Sequence, residues 1–264
     1  MENLSKIGRI FFGIAVAEIG LQAIYFHDFP YILSLQAHFW APGHMALAYI
    51  FGLLFFVAGA YIIFGIETRP VSLLFGGVLL LIFCFYCIPY ELLTSPTWWH
   101  FDEWENAEKE LAFAGGAFVV AGCFPAKNEG RLTRFLSKLI PAGAILFAIT
   151  IVCFGILHFM SGKDSASYVP AYIPWHVFWI YFCGAALLGS GLAIIFKIKP
   201  RLFAALLGLM IFLWFVSLHM PRVIAAPAAD LGDEITSACF ALAYSGIALV
   251  IAGIANKKSS NVSA

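Results

Sequence analysis

Two histidines stand in matching places along the chain. His44 follows Pro42 by two residues and His176 follows Pro174 by two, each at the start of a long apolar run. A histidine titrates near neutral pH, so one at the mouth of an apolar segment can pass protons between water and a site. His158 and His219 fall at the ends of two other apolar runs, and Arg222 follows soon after His219. Asp102-Glu103 and Asp233-Glu234 each open a further run. Carboxylates beside histidines can accept such protons. Together His44, His158, His176, His219, Arg222, Asp102, Glu103, Asp233 and Glu234 form a candidate polar pocket. A structural reading stands beside it: acidic residues at a helix start cap free N–H groups and complement the helix dipole, and Arg222 can pair with Asp233 or Glu234.

Two carboxylates lie deeper in apolar sequence. Glu18 is about eight residues from the outer end of its run, roughly 12 Å down at 1.5 Å per residue, and Glu110 lies at a similar depth. An ionisable group inside a membrane is costly and marks a functional hypothesis; the alternative is a neutral packing carboxyl, or Glu110 satisfied by Lys109. Cys84-Phe85-Tyr86-Cys87 has the spacing of thiol–disulfide motifs, but residues three apart on a helix keep their Cβ atoms about 5–6 Å apart, too far for a disulfide. No tight spacing such as HxxxH occurs, so no metal site is assigned.

The elements that must position these groups are membrane spans. Of 264 residues, 62% are hydrophobic and 11% charged, against roughly 25% charged in soluble domains. The net charge of zero argues against a nucleic-acid partner. The six cysteines fall in or at the ends of apolar segments, where Cys serves as a small hydrophobe. A span needs about 20 mostly apolar residues, and eight are read, over residues 7–26, 44–65, 71–88, 103–124, 140–159, 175–196, 202–219 and 234–255. The first is read as a retained span rather than a signal peptide. Twelve of the 15 Lys and Arg residues fall on one side, the exceptions being Lys109, Lys163 and Arg222. The positive-inside rule then makes both termini cytoplasmic. All seven histidines fall toward the opposite side, so a site would open outward. For His27, His38 and His100 the interface belt is an equal reading.

The chain also matches itself. Residues 42–64 and 174–196 align without a gap with 8 of 23 identities, including Pro42/Pro174, His44/His176, Tyr49/Tyr181, Gly52/Gly184 and Gly59/Gly191. Residues 102–122 and 233–253 share 10 of 21. A long period of this kind signals duplication of a structural unit. The expected fold is an all-α membrane protein of eight transmembrane helices, arranged as two parallel four-helix repeats related by an axis along the membrane normal. The expected divisions are a first repeat over residues 1–125, a basic cytoplasmic linker over 126–139 and a second repeat over 140–264.

A four-span unit with Gly155-Ile156-Leu157-His158-Phe159 late in its first span, then a proline-bounded entrance between Pro170 and Pro174, resembles the DoxX/DoxD-like membrane proteins. Their broader relatives include cargo receptors of the eukaryotic secretory pathway and the membrane protein of methylamine-utilisation clusters. The second half carries the resemblance better; in the first, Gly20-Leu21-Gln22-Ala23-Ile24 replaces the G-x-x-H-F pattern. The resemblance implies quinone-coupled sulfur oxidation, membrane oxidoreductase complexes or protein maturation. Two functions are therefore expected. One is the membrane subunit of an outward-facing, quinone-linked oxidoreductase of the bacterial inner membrane, embedded in the lipid bilayer and working with a periplasmic or membrane redox subunit. The other is a non-enzymatic transporter, receptor or scaffold for a small molecule or envelope protein, with Trp98, Trp99 and Trp104 as contact surface.

Overall fold

A computed structural model describes residues 2–30, 44–127 and 129–260. Among them every regular element is helical, as expected where lipid leaves backbone groups no other partner. The helices are α1 (Glu2–Phe26), α2 (His44–Phe64), α3 (Thr68–Ile82), α4 (Ile88–Thr94), α5 (Glu105–Ala121), α6 (Arg131–Leu136), α7 (Ile140–Met160), α8 (Gly162–Ser165), α9 (His176–Ile195), α10 (Pro200–Trp214), α11 (Met220–Ala225) and α12 (Leu231–Ser260). One π-helical turn, Phe83–Cys87, joins α3 to α4, and another, Phe215–His219, joins α10 to α11.

Seven helical segments among the described residues are long and apolar enough to cross a membrane. The sequence reading expects eight, and the difference is α5. That helix has 17 residues and carries Glu105, Glu108, Lys109 and Glu110 near its start. Its charges are tolerated because it does not face lipid: every residue from Lys109 to Ala121 is buried against other helices. A hydropathy criterion measures suitability for lipid, and α5 is solvated by protein instead.

Packing sorts the long helices into two groups. α1 lies along α2 and α12, and α7 lies along α9 and α5. α3 packs on α5, α10 packs on α12, and α5 also meets α12. Thus α5 and α12 form the interior, α1 and α7 flank them, and α2, α3, α9 and α10 lie at the periphery. The peripheral helices expose Leu53, Leu54, Val78, Phe182, Leu206 and Leu209, an apolar surface suited to the bilayer. The interior is filled by aromatic rings: Phe113 contacts Phe12 and Phe240, with ring centroids 5.7 and 4.8 Å apart, and Tyr244 contacts Phe147 at 5.8 Å.

Close helix contacts rest on glycine. A Cβ on Gly115 of α5 would lie 2.6 Å from the Gly143 carbonyl oxygen of α7, and one on Gly246 of α12 would lie 2.5 Å from the Gly8 carbonyl oxygen of α1. Backbones approach this closely only where small residues face each other.

The turns on the basic side share a conformation. Gly65 and Glu67 have φ of 76° and 43°, and Lys197 and Lys199 have 58° and 40°. The Ile66 N–H donates to the Tyr61 carbonyl at 3.0 Å, and the Ile198 N–H to the Ala193 carbonyl at 2.8 Å. Arginines close the neighbouring helix ends. Arg9 donates to the carbonyls of Ile62 and Ile63, and Arg69 donates to Ala121 and Phe124 while pairing with Glu129 at 2.6 Å.

The two π turns have a common origin. Pro89 and Pro221 stand two residues beyond them, and a proline cannot donate to the residue four before it and crowds that carbonyl. A widened turn relieves the clash. At the second turn the carbonyl so released, that of Ser217, accepts a hydrogen bond from the Tyr172 hydroxyl.

Candidate functional site

Toward the histidine-bearing side of the bundle, a cavity of about 330 Å³ opens between five helices. α5 contributes Glu105 and Lys109, α7 Phe154 and His158, α9 Trp179 and Cys183, the α10 segment Trp214 and His219, and α12 Ser237 and Tyr244. Its volume is in the range of small-molecule sites, and its lining is mostly apolar with a few convergent polar groups, the usual character of such sites.

Each polar group is held differently. His158 Nδ1 lies 2.8 Å from the Phe154 carbonyl, so Nδ1–H donates to it. His219 ends the second π turn, and its Nδ1 is buried with no hydrogen-bond partner. Lys109 is only 8% exposed. It pairs with Glu105 at 2.6 Å, one helical turn earlier, and donates to Asn106 at 3.1 Å. Trp214 donates from Nε1 to Cys183 Sγ at 2.9 Å and packs edge-on against Trp179 at 5.7 Å. The Trp179 Nε1 is buried and unpartnered.

Of the nine residues expected to form a pocket, the structure brings His158 and His219 to this cavity. Arg222 and Glu234 form a bidentate ion pair nearby, with Arg222 Nε 2.8 Å from Glu234 Oε2, which resolves the choice between Asp233 and Glu234. The guanidinium also lies over the Tyr168 ring at 4.9 Å. Asp233, Asp102 and Glu103 are exposed, and Glu103 accepts from the Thr97 hydroxyl. His176 is the first residue of α9 and is not among the cavity lining. His44 begins α2, but its side chain lies outside the described residues, as does the whole of His38.

The deep carboxylates do not pair with each other. Glu18 Oε2 accepts from the Cys239 thiol at 2.6 Å. Glu110 is 4% exposed, and its Oε1 is unpartnered beside a void of about 10 Å³ that Ile19 and Thr236 also line. Lys109 turns to Glu105, so it does not satisfy Glu110. A third buried acid, Glu108, faces α7 and interacts with the Cys153 thiol. Two carboxyl–thiol pairs therefore sit inside the bundle, Glu18–Cys239 between α1 and α12 and Cys153–Glu108 between α7 and α5. Cys84 is exposed while Cys87 is buried, and both are free thiols. Among the described residues no three His, Cys, Asp or Glu side chains converge as metal ligands.

Sequence reasoning missed Glu105, Lys109, Glu108 and Trp179. The i,i+4 spacing of Glu105 and Lys109 was the available signal. Their place facing a cavity made by the other half of the chain was not visible in it.

These features define a multi-pass integral membrane protein, built from apolar helices that enclose a mostly apolar cavity with a few polar groups. The DoxX family model matches residues 4–86, so this first part of the chain is similar to the DoxX membrane proteins. No curated protein and no solved structure matches it. The match covers α1, α2, α3 and most of the first π turn. It therefore falls on the first half, not on the half with the G-x-x-H-F motif, which the sequence expectation favoured.

Proposed function

We propose that the chain is the membrane subunit of an outward-facing oxidoreductase that works with a quinone and a periplasmic or membrane redox subunit. The observation that carries the reading is the cavity itself: His158, His219 and the Lys109–Glu105 pair converge in an otherwise apolar space. Two buried ring nitrogens there, His219 Nδ1 and Trp179 Nε1, have no protein partner, which suits a ligand with oxygen atoms at its polar end. A quinone would supply a two-electron, two-proton couple exchanged with the redox subunit. His158 and His219 would move protons between that ligand and the outer surface, and Lys109 would hold negative charge beside it. Asp233, Asp102, Glu103, His176 and His44 have no part in this version of the site; Arg222 and Glu234 fix the segment that carries His219.

The architecture belongs to the same proposal. The bundle is read as eight spans in two parallel repeats, residues 1–125 and 140–264 joined by the basic linker, in a bacterial inner membrane with both termini cytoplasmic. Paired features support it: the two π turns, the two left-handed turns, and contacts of α1 with α12 that parallel those of α7 with α5. Glu18 aligns with Cys153 in this scheme and Cys239 with Glu108, so the two carboxyl–thiol pairs are one contact with its residues exchanged.

The test is quinone-dependent turnover of the complex extracted from its own membrane. Replacing His158 and His219 together by Gln should abolish turnover while leaving a folded protein; normal turnover in that variant refutes the site. The second reading, a receptor or scaffold, draws on Trp98 and Trp99, which are 45% and 64% exposed. It requires partner binding to be lost when both are replaced by Ala, with turnover absent in the wild type.

A further inference from the structure

A second cavity, of about 600 Å³, lies between α9 and α10. It is an apolar cleft rather than a closed chamber. Phe182, Leu206, Leu209 and Leu213 line it and are themselves exposed on the lipid-facing surface, so it opens sideways to the bilayer. Gly189 lies on its α9 wall and is exposed, and an added Cβ there would meet no atom within 4 Å.

The cleft and the polar cavity share a wall. Trp179, Met210 and Trp214 line both. Trp214 is anchored to Cys183, whereas the Trp179 Nε1 has no partner. A buried N–H left unpaired is costly, and here it stands where an apolar space meets one holding two histidines and a lysine.

From this adjacency we infer that the protein binds a single-tailed amphiphile that enters laterally from the bilayer. Its apolar tail lies in the α9–α10 cleft, and its head, bearing acceptor oxygens, passes Trp179 into the polar cavity. Trp179 donates to the head, and the Trp179–Trp214 pair separates the two compartments. The inference rests on the proposed function in taking the polar cavity as the place of the head. It adds the chemical class of the ligand, the route of entry and a tail site made by residues with no role in proton transfer. The order of events follows from solubility: a long apolar tail keeps such a ligand in the membrane, so a lateral opening is the direct path from the bilayer to a buried polar site.

The experiment uses the full chain in detergent and two probes with the same para-benzoquinone head, one with a decyl tail and one with a methyl group in its place. Binding is measured by calorimetry for the wild type, Gly189→Phe and Leu206→Trp, the two substitutions filling the cleft from opposite sides. Each variant's thermal unfolding is recorded to show that it is folded, and whichever one folds suffices. The decyl probe should bind the wild type more tightly than the methyl probe and lose at least about tenfold in affinity in the variants, the loss expected when some two buried methylenes are displaced. The methyl probe should bind all three proteins alike. If the decyl probe also binds all three alike, the tail lies elsewhere and the inference fails, while the polar cavity stands as a head site. If both probes weaken together, cleft and cavity are not separate tail and head sites, and the inference fails. If neither probe binds the wild type, the proposed function itself fails and the inference with it.

Discussion

The same substitution, glycine to alanine, should have opposite effects at two helical positions. At Gly115 the new methyl would lie 2.6 Å from the Gly143 carbonyl oxygen and 2.9 Å from the Phe147 nitrogen. Both are backbone atoms, which cannot rotate away, so α5 and α7 must separate. Overpacking of this kind costs about 1–3 kcal/mol, and the rigid neighbours place it in the upper half. The gain in helix propensity from Gly to Ala returns about 1 kcal/mol. The net expectation for Gly115→Ala is a loss of about 1–2 kcal/mol. At Gly189 nothing lies within 4 Å, so only the propensity gain operates, and Gly189→Ala should be neutral or stabilised by up to about 1 kcal/mol. The assay is reversible unfolding in mixed detergent micelles, followed by far-UV circular dichroism against the mole fraction of SDS. Equal midpoints for the two variants, or a less stable Gly189→Ala, would refute the packing argument.

Three further outcomes follow from single contacts. Phe147 is fully buried in the aromatic interior, so Phe147→Ala should cost about 3–5 kcal/mol in the same unfolding assay. Tyr172→Phe removes the donor to the Ser217 carbonyl and should cost about 0.5–1.5 kcal/mol, with faster hydrogen exchange confined to the second π turn. A double-mutant cycle of Glu18→Gln and Cys239→Ala should give a coupling of about 0.5–3 kcal/mol, because the thiol donates directly to that carboxyl; additive effects would show that the contact carries no energy of its own.

Much of the fold is readable from sequence because the bilayer imposes length and apolarity on each peripheral span. The seven lipid-suited helices follow from that constraint alone. The position of α5 also follows from the match of residues 102–122 with 233–253, although its acidic start fails a hydropathy criterion. The π turns were not read, yet Pro89 and Pro221 just beyond the spans read over 71–88 and 202–219 were their signal, since each proline removes a helical hydrogen bond. The site was less legible. His158 and His219 were selected for lying at span ends, and both line the cavity. His176 and Asp233 satisfy the same rule and do not line the cavity, because span-end position fixes depth in the membrane and not the face of the helix. Lys109 and Glu105 were missed for the converse reason: their charges suggested a rim, whereas burial of Lys109 comes from helices distant in sequence. Trp179 could be assigned to the interface belt until its ring was seen between two cavities.

The central claim is that the cavity lined by His158, His219, Lys109 and Trp179 holds a lipid-soluble redox ligand. Native mass spectrometry of the protein extracted gently from its own membrane tests it most directly, with the His158→Gln/His219→Gln variant prepared in parallel. The account predicts a quinone bound to the wild type and lost from the variant, with the other bound lipids unchanged. A wild-type protein free of quinone, or a variant that retains it in equal amount, would contradict the account.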